Sequence, residues 1–180
     1  SRNVLGIKDA NTTENDPDTK NPVIDIIKAQ KKIIAESRYG NTMRLGAYCA
    51  ILKVNSLIYK YFKDMNRIYD IAGINNYFSG VSDKEKRIGI INSDENNSLV
   101  IERHRHRYEV NPSYIERLSR NNLKITGYHR MLDGTILVEF IELDNHPYFV
   151  ATQAHPEFES SLENPSPLFY GFVKNMLKKP

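Results

Sequence analysis

Two hydrophobic rhythms follow one another in the second half of the chain, and together they constrain the fold more than any single residue does. Leu123 to Met131 and Thr135 to Leu143 alternate apolar with polar side chains, the period of a half-buried strand, and Asp133-Gly134 between them suits a hairpin turn. Tyr148-Phe-Val-Ala-Thr152 is a third, short apolar run that ends just before His155. After Ser166-Pro167 the spacing changes: Leu168, Phe169, Phe172, Val173, Met176 and Leu177 form the stripe of a helix that the Ser-Pro pair opens. Met43 to Val54 and Ser98 to Glu102 read as strands, and Asn111-Pro112 opens a helix with Tyr114, Ile115 and Leu118 on one face and Asn121-Asn122 as its stop. Short buried strands alternating with helices predict an α/β fold.

Three stretches read differently. Val4 to Asp18 is polar and rich in turn formers, which predicts mainly loop. Pro22 to Lys28 predicts a short helix with Pro at its first position. From about 61 to 97, Lys, Asn, Asp and Ser dominate around Gly73, Gly80 and Gly89, so this segment is expected to be a peripheral, mobile insertion that contributes little to the core.

Bulk properties narrow the function classes. At 180 residues the chain is about one domain. A net charge of +3 is too small to argue for nucleic acid or an anionic membrane surface, and no apolar run is long enough to span a bilayer. The single cysteine, Cys49, excludes an internal disulfide and suits a reducing, cytoplasmic setting. Asn occurs 18 times, which has no bearing on mechanism.

Chemistry concentrates in two places. His155 stands where an apolar strand gives way to a Pro turn, and Glu157, two residues on, is placed to accept from one ring nitrogen. Spacing alone leaves a solvated His-Pro turn as the commoner alternative. Arg103-His-Arg-His-Arg107 places its two histidines on one face of an extended chain and its three arginines on the other. The run is too short and too isolated for nucleic-acid binding, and His104 with His106 lacks a third ligand nearby for zinc. Cys49 sits in an apolar strand between Tyr48 and Ala50, without the glycines of a nucleophile elbow, which marks an inert buried thiol.

Ile101-Glu-Arg-His-Arg-His-Arg-Tyr-Glu-Val-Asn111 resembles a signature run in the glutamine amidotransferase domain of CTP synthases. His155-Pro-Glu-Phe158, with Asn145-His-Pro-Tyr-Phe-Val150 before it and Pro165-Ser-Pro-Leu-Phe169 after it, resembles the catalytic segment of the same class I, triad-type family. Asp9-Ala-Asn-Thr-Thr-Glu14 and Gly40-Asn-Thr-Met-Arg-Leu-Gly46 match further family runs, the latter read as chiefly a backbone feature with a structural Arg44. The resemblance covers positions 2 to 24, 40 to 53 and 98 to 177.

That resemblance implies a class I amidotransferase-like sandwich with a mixed central sheet, of which residues 1–180 are the C-terminal portion. It implies His155 as the base, Glu157 as its orienting carboxylate, and Glu14, Arg107 and Tyr108 as residues that hold glutamine. The nucleophilic Cys, in a Gly-x-Cys-x-Gly elbow that does not occur here, is expected just upstream of the sequence. No metal or cofactor is expected in this segment, because ATP and Mg belong to a separate N-terminal synthase domain that makes CTP from UTP. A homo-oligomer is expected of the intact enzyme. The alternatives are an amidotransferase with another acceptor and a non-catalytic interaction module with a degenerate triad.

Overall fold

A computed structural model describes residues 1–26, 43–91 and 95–177. The chain divides into two compact units, residues 1–45 with 105–123 and residues 46–104 with 124–180.

The smaller unit is built on a three-stranded sheet of β1 (Ala10–Thr12), β2 (Asn21–Asp25) and β5 (Glu109–Val110), with β2 in the middle. β1 runs parallel to β2, and β5 runs antiparallel to it. Ile7, Ala10 and Val23 are buried here, with Leu5, Tyr114 and Leu118 packed against them. Asn111 caps the following turn by accepting from Ser113 N and also donates to Pro22 O at 2.9 Å. The short helices Pro112–Tyr114 and Ile115–Ser119 follow, and Asn122, at φ 63°, ends them as expected.

Val4 to Asp18 is mainly turn and loop, as expected, interrupted by the end of a helix, Arg2–Leu5, and by strand β1. One sequence expectation fails in this unit. The segment expected to be a helix from Pro22 is strand β2, with Ile27 and Lys28 outside the described residues. β-branched Ile24 pairs on both sides, with Thr12 and Val110, and the β1 register skips Val23, directly after Pro22, which has no N–H to contribute.

The larger unit carries a five-stranded sheet in the order β4-β3-β6-β7-β8, comprising β3 (Arg44–Lys53), β4 (Asn97–His106), β6 (Leu123–Arg130), β7 (Ile136–Leu143) and β8 (Val150–Thr152). The β6–β7 turn forms as predicted, with Gly134 at φ 86°. Successive residues of β3 pack into different clusters. Ala47, Cys49 and Ile51 meet Ile74, Phe78, Leu99 and Ile101, whereas Ala50 and Leu52 meet Ile58, Phe62, Val100, Phe140 and Leu168. A sheet buried on both faces explains why β3 reads as a continuous apolar run. At Gly46, φ 93°, a Cβ would lie 2.8 Å from Arg87 Nη1, and Arg87 donates to Ala47 O.

The expectation that residues 61 to 97 contribute little to the core is overturned. This segment holds the end of helix Leu57–Asp64 and the helices Ile71–Tyr77 and Lys84–Ile88. Tyr61, Phe62, Ile74 and Phe78 are each 1% exposed or less. Its polar residues face solvent while a few widely spaced apolar ones cover the sheet, and average composition does not register that division. The last helix, Pro167–Met176, is capped by Ser166 as expected, but only the beginning of its apolar stripe is buried. Leu168 is covered, whereas Phe169, Phe172, Val173 and Met176 are exposed.

Candidate active site

β8 ends at Thr152, and Pro156, with its fixed φ, starts a short 3₁₀ turn, Pro156–Glu159. His155 stands at the junction. Its backbone N–H donates to Arg103 O on β4 at 2.8 Å, so the chain leaving one edge strand of the sheet reaches the other. Its ring is stacked on Phe158, with centroids 5.0 Å apart, and Nδ1 lies 2.7 Å from Glu157 Oε1. That hydrogen bond holds the Glu157 carboxyl below its ordinary value, so the group is anionic at neutral pH. A neutral imidazole that donates from Nδ1 to a carboxylate presents Nε2 as the proton acceptor. With side chains 36% and 54% exposed, the pair is open to a ligand.

Glu14, Arg107 and Tyr108 all belong to the smaller unit. Glu14 is exposed on the turn that follows β1, where its N–H donates to Thr12 Oγ1. Arg107 and Tyr108 form the two-residue link between β4 and β5. Because β1 is parallel to β2 and β5 antiparallel to it, the end of β1 and the start of β5 fall at the same end of this sheet, on either side of β2. Glu14 and the Arg107-Tyr108 link therefore lie at one end of the sheet, although they are far apart in sequence. Glu109 anchors the link from below. It is fully buried, its Oε1 lies 2.7 Å from His106 Nε2 and 3.4 Å from Arg44 Nη1, and Arg44 is 4% exposed. This arrangement gives Arg44 the structural role expected for it; Gly40, Asn41 and Thr42 of the same motif lie outside the described residues.

The Arg-His run continues β4 instead of following it. Arg103 and Arg105 are exposed, while His104 is buried with its Nε2 3.4 Å from Glu139 Oε2. Among the described residues no group of three His, Cys, Asp or Glu side chains is arranged to hold a metal ion. Among the same residues no helix is long and apolar enough to cross a membrane. Cys49 is 1% exposed, and burial, reinforced by the charge of Glu139, pushes its thiol up to about 12. Thiolate is the nucleophilic form, so this cysteine is not an active-site nucleophile.

Sequence reasoning missed two charged residues beside the His155 turn. Arg67 Nη2 donates to Glu159 O at 3.1 Å and Asn164 O at 3.3 Å. Glu102, 3% exposed on β4, is pushed up to about 8 by burial and then by Glu159, with Arg67 opposing. Sequence carried no signal for Arg67, because its partners are 92 and 97 residues away.

An exposed histidine whose ring is held by a carboxylate has the chemistry of a positioned base. The class-I glutamine amidotransferase family matches residues 73–175, and the chain belongs to that family. It is 44% identical over 179 residues to a CTP synthase of Methanococcus maripaludis and 41% identical over 174 residues to one of Methanopyrus kandleri, covering 99% and 97% of this chain. The chain spans about a quarter of the length of these relatives, 26% and 25% respectively. The fold is similar to a solved structure of the Trypanosoma brucei CTPS glutaminase domain with bound acivicin. The TM-score is 0.72 at 28% identity, over 100% of this chain and 55% of that one.

Proposed function

We propose that these residues form part of the glutaminase site of a CTP synthase, in which hydrolysis of glutamine supplies ammonia for the ATP-dependent amination of UTP. The observation that carries the reading is the 2.7 Å contact between His155 Nδ1 and Glu157 Oε1 at the exposed end of β8. The nucleophile is a cysteine outside residues 1–180, since Cys49 is buried as a thiol.

That cysteine attacks the side-chain amide carbon. His155 Nε2 takes the thiol proton and gives it to the departing nitrogen, so that ammonia leaves and a thioester remains. Water then attacks the thioester carbon, and His155 takes its proton and returns it to the cysteine sulfur as the C–S bond breaks and glutamate is released. Glu157 holds the ring in one tautomer and stabilises the imidazolium. Arg107 pairs with the α-carboxylate of glutamine, Glu14 with its α-ammonium group, and Tyr108 borders the amino acid. ATP, Mg and UTP are held by a separate synthase domain, and the intact enzyme is a cytoplasmic homo-oligomer.

In the full-length protein, Arg107→Ala and Glu14→Gln are expected to raise the KM for glutamine about tenfold or more, because each removes a charge-assisted contact. Ammonia-supported CTP formation should be unchanged. Unaltered KM in both variants, measured by glutamate release, would show that glutamine is held elsewhere.

A further inference from the structure

We propose that Arg67 is a positioning residue for the His155–Glu157 pair: its guanidinium clamps the far side of the turn that carries both side chains. The proposal deepens the glutaminase reading and rests on it.

The placement of Arg67 is built from its own end of the chain. Helix Leu57–Asp64 stops when Asn66 takes a left-handed conformation at φ 54°, and Arg67 N–H donates back to Phe62 O at 2.9 Å. Two residues later, Tyr69 N–H donates to Leu99 O of β4 at 2.8 Å and forms an isolated antiparallel bridge there. Arg67 is thus fixed between a packed helix and an edge strand.

The same β4 edge receives the His155 turn. Leu99 O accepts from Tyr69 N and Arg103 O accepts from His155 N. Carbonyls four residues apart on an extended strand point the same way, so both segments dock on one side of β4. The first end of the turn is held by that Arg103 contact. The other end is held by Arg67, whose Nη2 donates to Glu159 O and Asn164 O.

These two carbonyls are informative acceptors. Glu159 is the last residue of the 3₁₀ turn that contains Glu157, where carbonyls lack partners within the turn and attract cations. Asn164 closes a small loop in which Ser161 N donates to Asn164 O and Asn164 N donates to Ser161 Oγ, both at 3.1 Å. One guanidinium nitrogen therefore spans the neck of the loop. Glu157 lies inside the held segment and His155 at its start, so displacement of Glu159 would be felt at the 2.7 Å contact between them.

Full-length Arg67→Met and Arg67→Lys should be assayed beside His155→Asn. Glutamate release gives kcat and KM for glutamine, and ammonia-supported CTP formation and the thermal midpoint report on the rest of the molecule. In Arg67→Met, kcat for glutamine should fall about 10- to 100-fold, as a misplaced catalytic group predicts, with KM and ammonia-supported turnover within about twofold. Lys, which keeps the charge but lacks the guanidinium fork, should recover part of the loss. Unchanged kcat in Arg67→Met, or glutamine- and ammonia-supported rates falling together with the thermal midpoint, overturns the positioning role. Persistence of glutaminase activity in His155→Asn instead overturns the glutaminase reading itself, whatever Arg67 does.

Discussion

Histidine meets glutamate in two settings within the larger unit. His155 and Glu157 are two residues apart, meet at 2.7 Å and are 36% and 54% exposed. His104 and Glu139, on different strands, meet at 3.4 Å with both side chains 1% exposed. Tyr48 places its ring edge-on to His104 and also to His129, which makes the second setting a packed wall. The chemical groups are the same, but only the first pair can exchange protons with a ligand. The second is tied to burial, where leaving a polar group unmatched is costly. Residue type suggests what a pair can do, and exposure decides whether it acts on a ligand or on the fold.

The largest expected effect separates the two pairs by activity. Replacing His155 with Asn in the full-length protein should lower glutamine-dependent kcat by about 10⁴-fold or more, the scale seen when a triad member is lost, with little change in thermal midpoint. Glu139→Leu should do the reverse. It leaves glutaminase kcat near wild type but destabilises the fold by about 1–3 kcal/mol, because buried His104 loses the carboxyl group that it faces. Calorimetry beside a glutamate-release assay checks both, and a large catalytic loss in Glu139→Leu would break the distinction.

Glu102 sharpens the contrast through pH. Between the ordinary carboxyl value of 4.5 and about 8, the unfolded chain has lost a proton that the folded chain keeps. Stability therefore falls as pH rises through this window, at about 1.4 kcal/mol per unit at most. Glu102→Gln should flatten that slope and raise the thermal midpoint at pH 8 relative to wild type. An unchanged slope in thermal melts between pH 5 and 8 would show that Glu102 is ionised in the folded protein. The smallest effect is expected at Cys49. In the full-length protein, Cys49→Ala should keep glutamine-dependent activity within about twofold, since a buried thiol raised to about 12 supplies no thiolate.

What the sequence made legible was local. The β6–β7 hairpin, the Ser166 cap and the His155–Glu157 contact each depend on residues within a few positions of one another. The Arg-His run alternated as an extended chain requires, although its face assignment could not reveal Glu139, 35 residues beyond His104, as a partner. The failures were non-local. Ile74 and Phe78 stand among Asn, Ser and Gly, and only the β3 face that they cover gives them meaning. Pro22 resembles a helix start until β1 and β5 are placed on either side of it. Tyr61 likewise packs edge-on against Tyr148 and Tyr170, aromatic partners from elements far along the chain.

The central claim is that His155 and Glu157 act as one unit, and a double-mutant cycle on glutamine kcat/KM tests it directly. Full-length wild type, His155→Asn, Glu157→Gln and the double variant would be compared, with ammonia-supported turnover as the control for integrity. If Glu157 acts only through the imidazole, adding Glu157→Gln to His155→Asn should cost less than about twofold, although Glu157→Gln alone costs far more. Additive losses in the double variant would contradict the account, because Glu157 would then contribute to glutamine hydrolysis independently of His155.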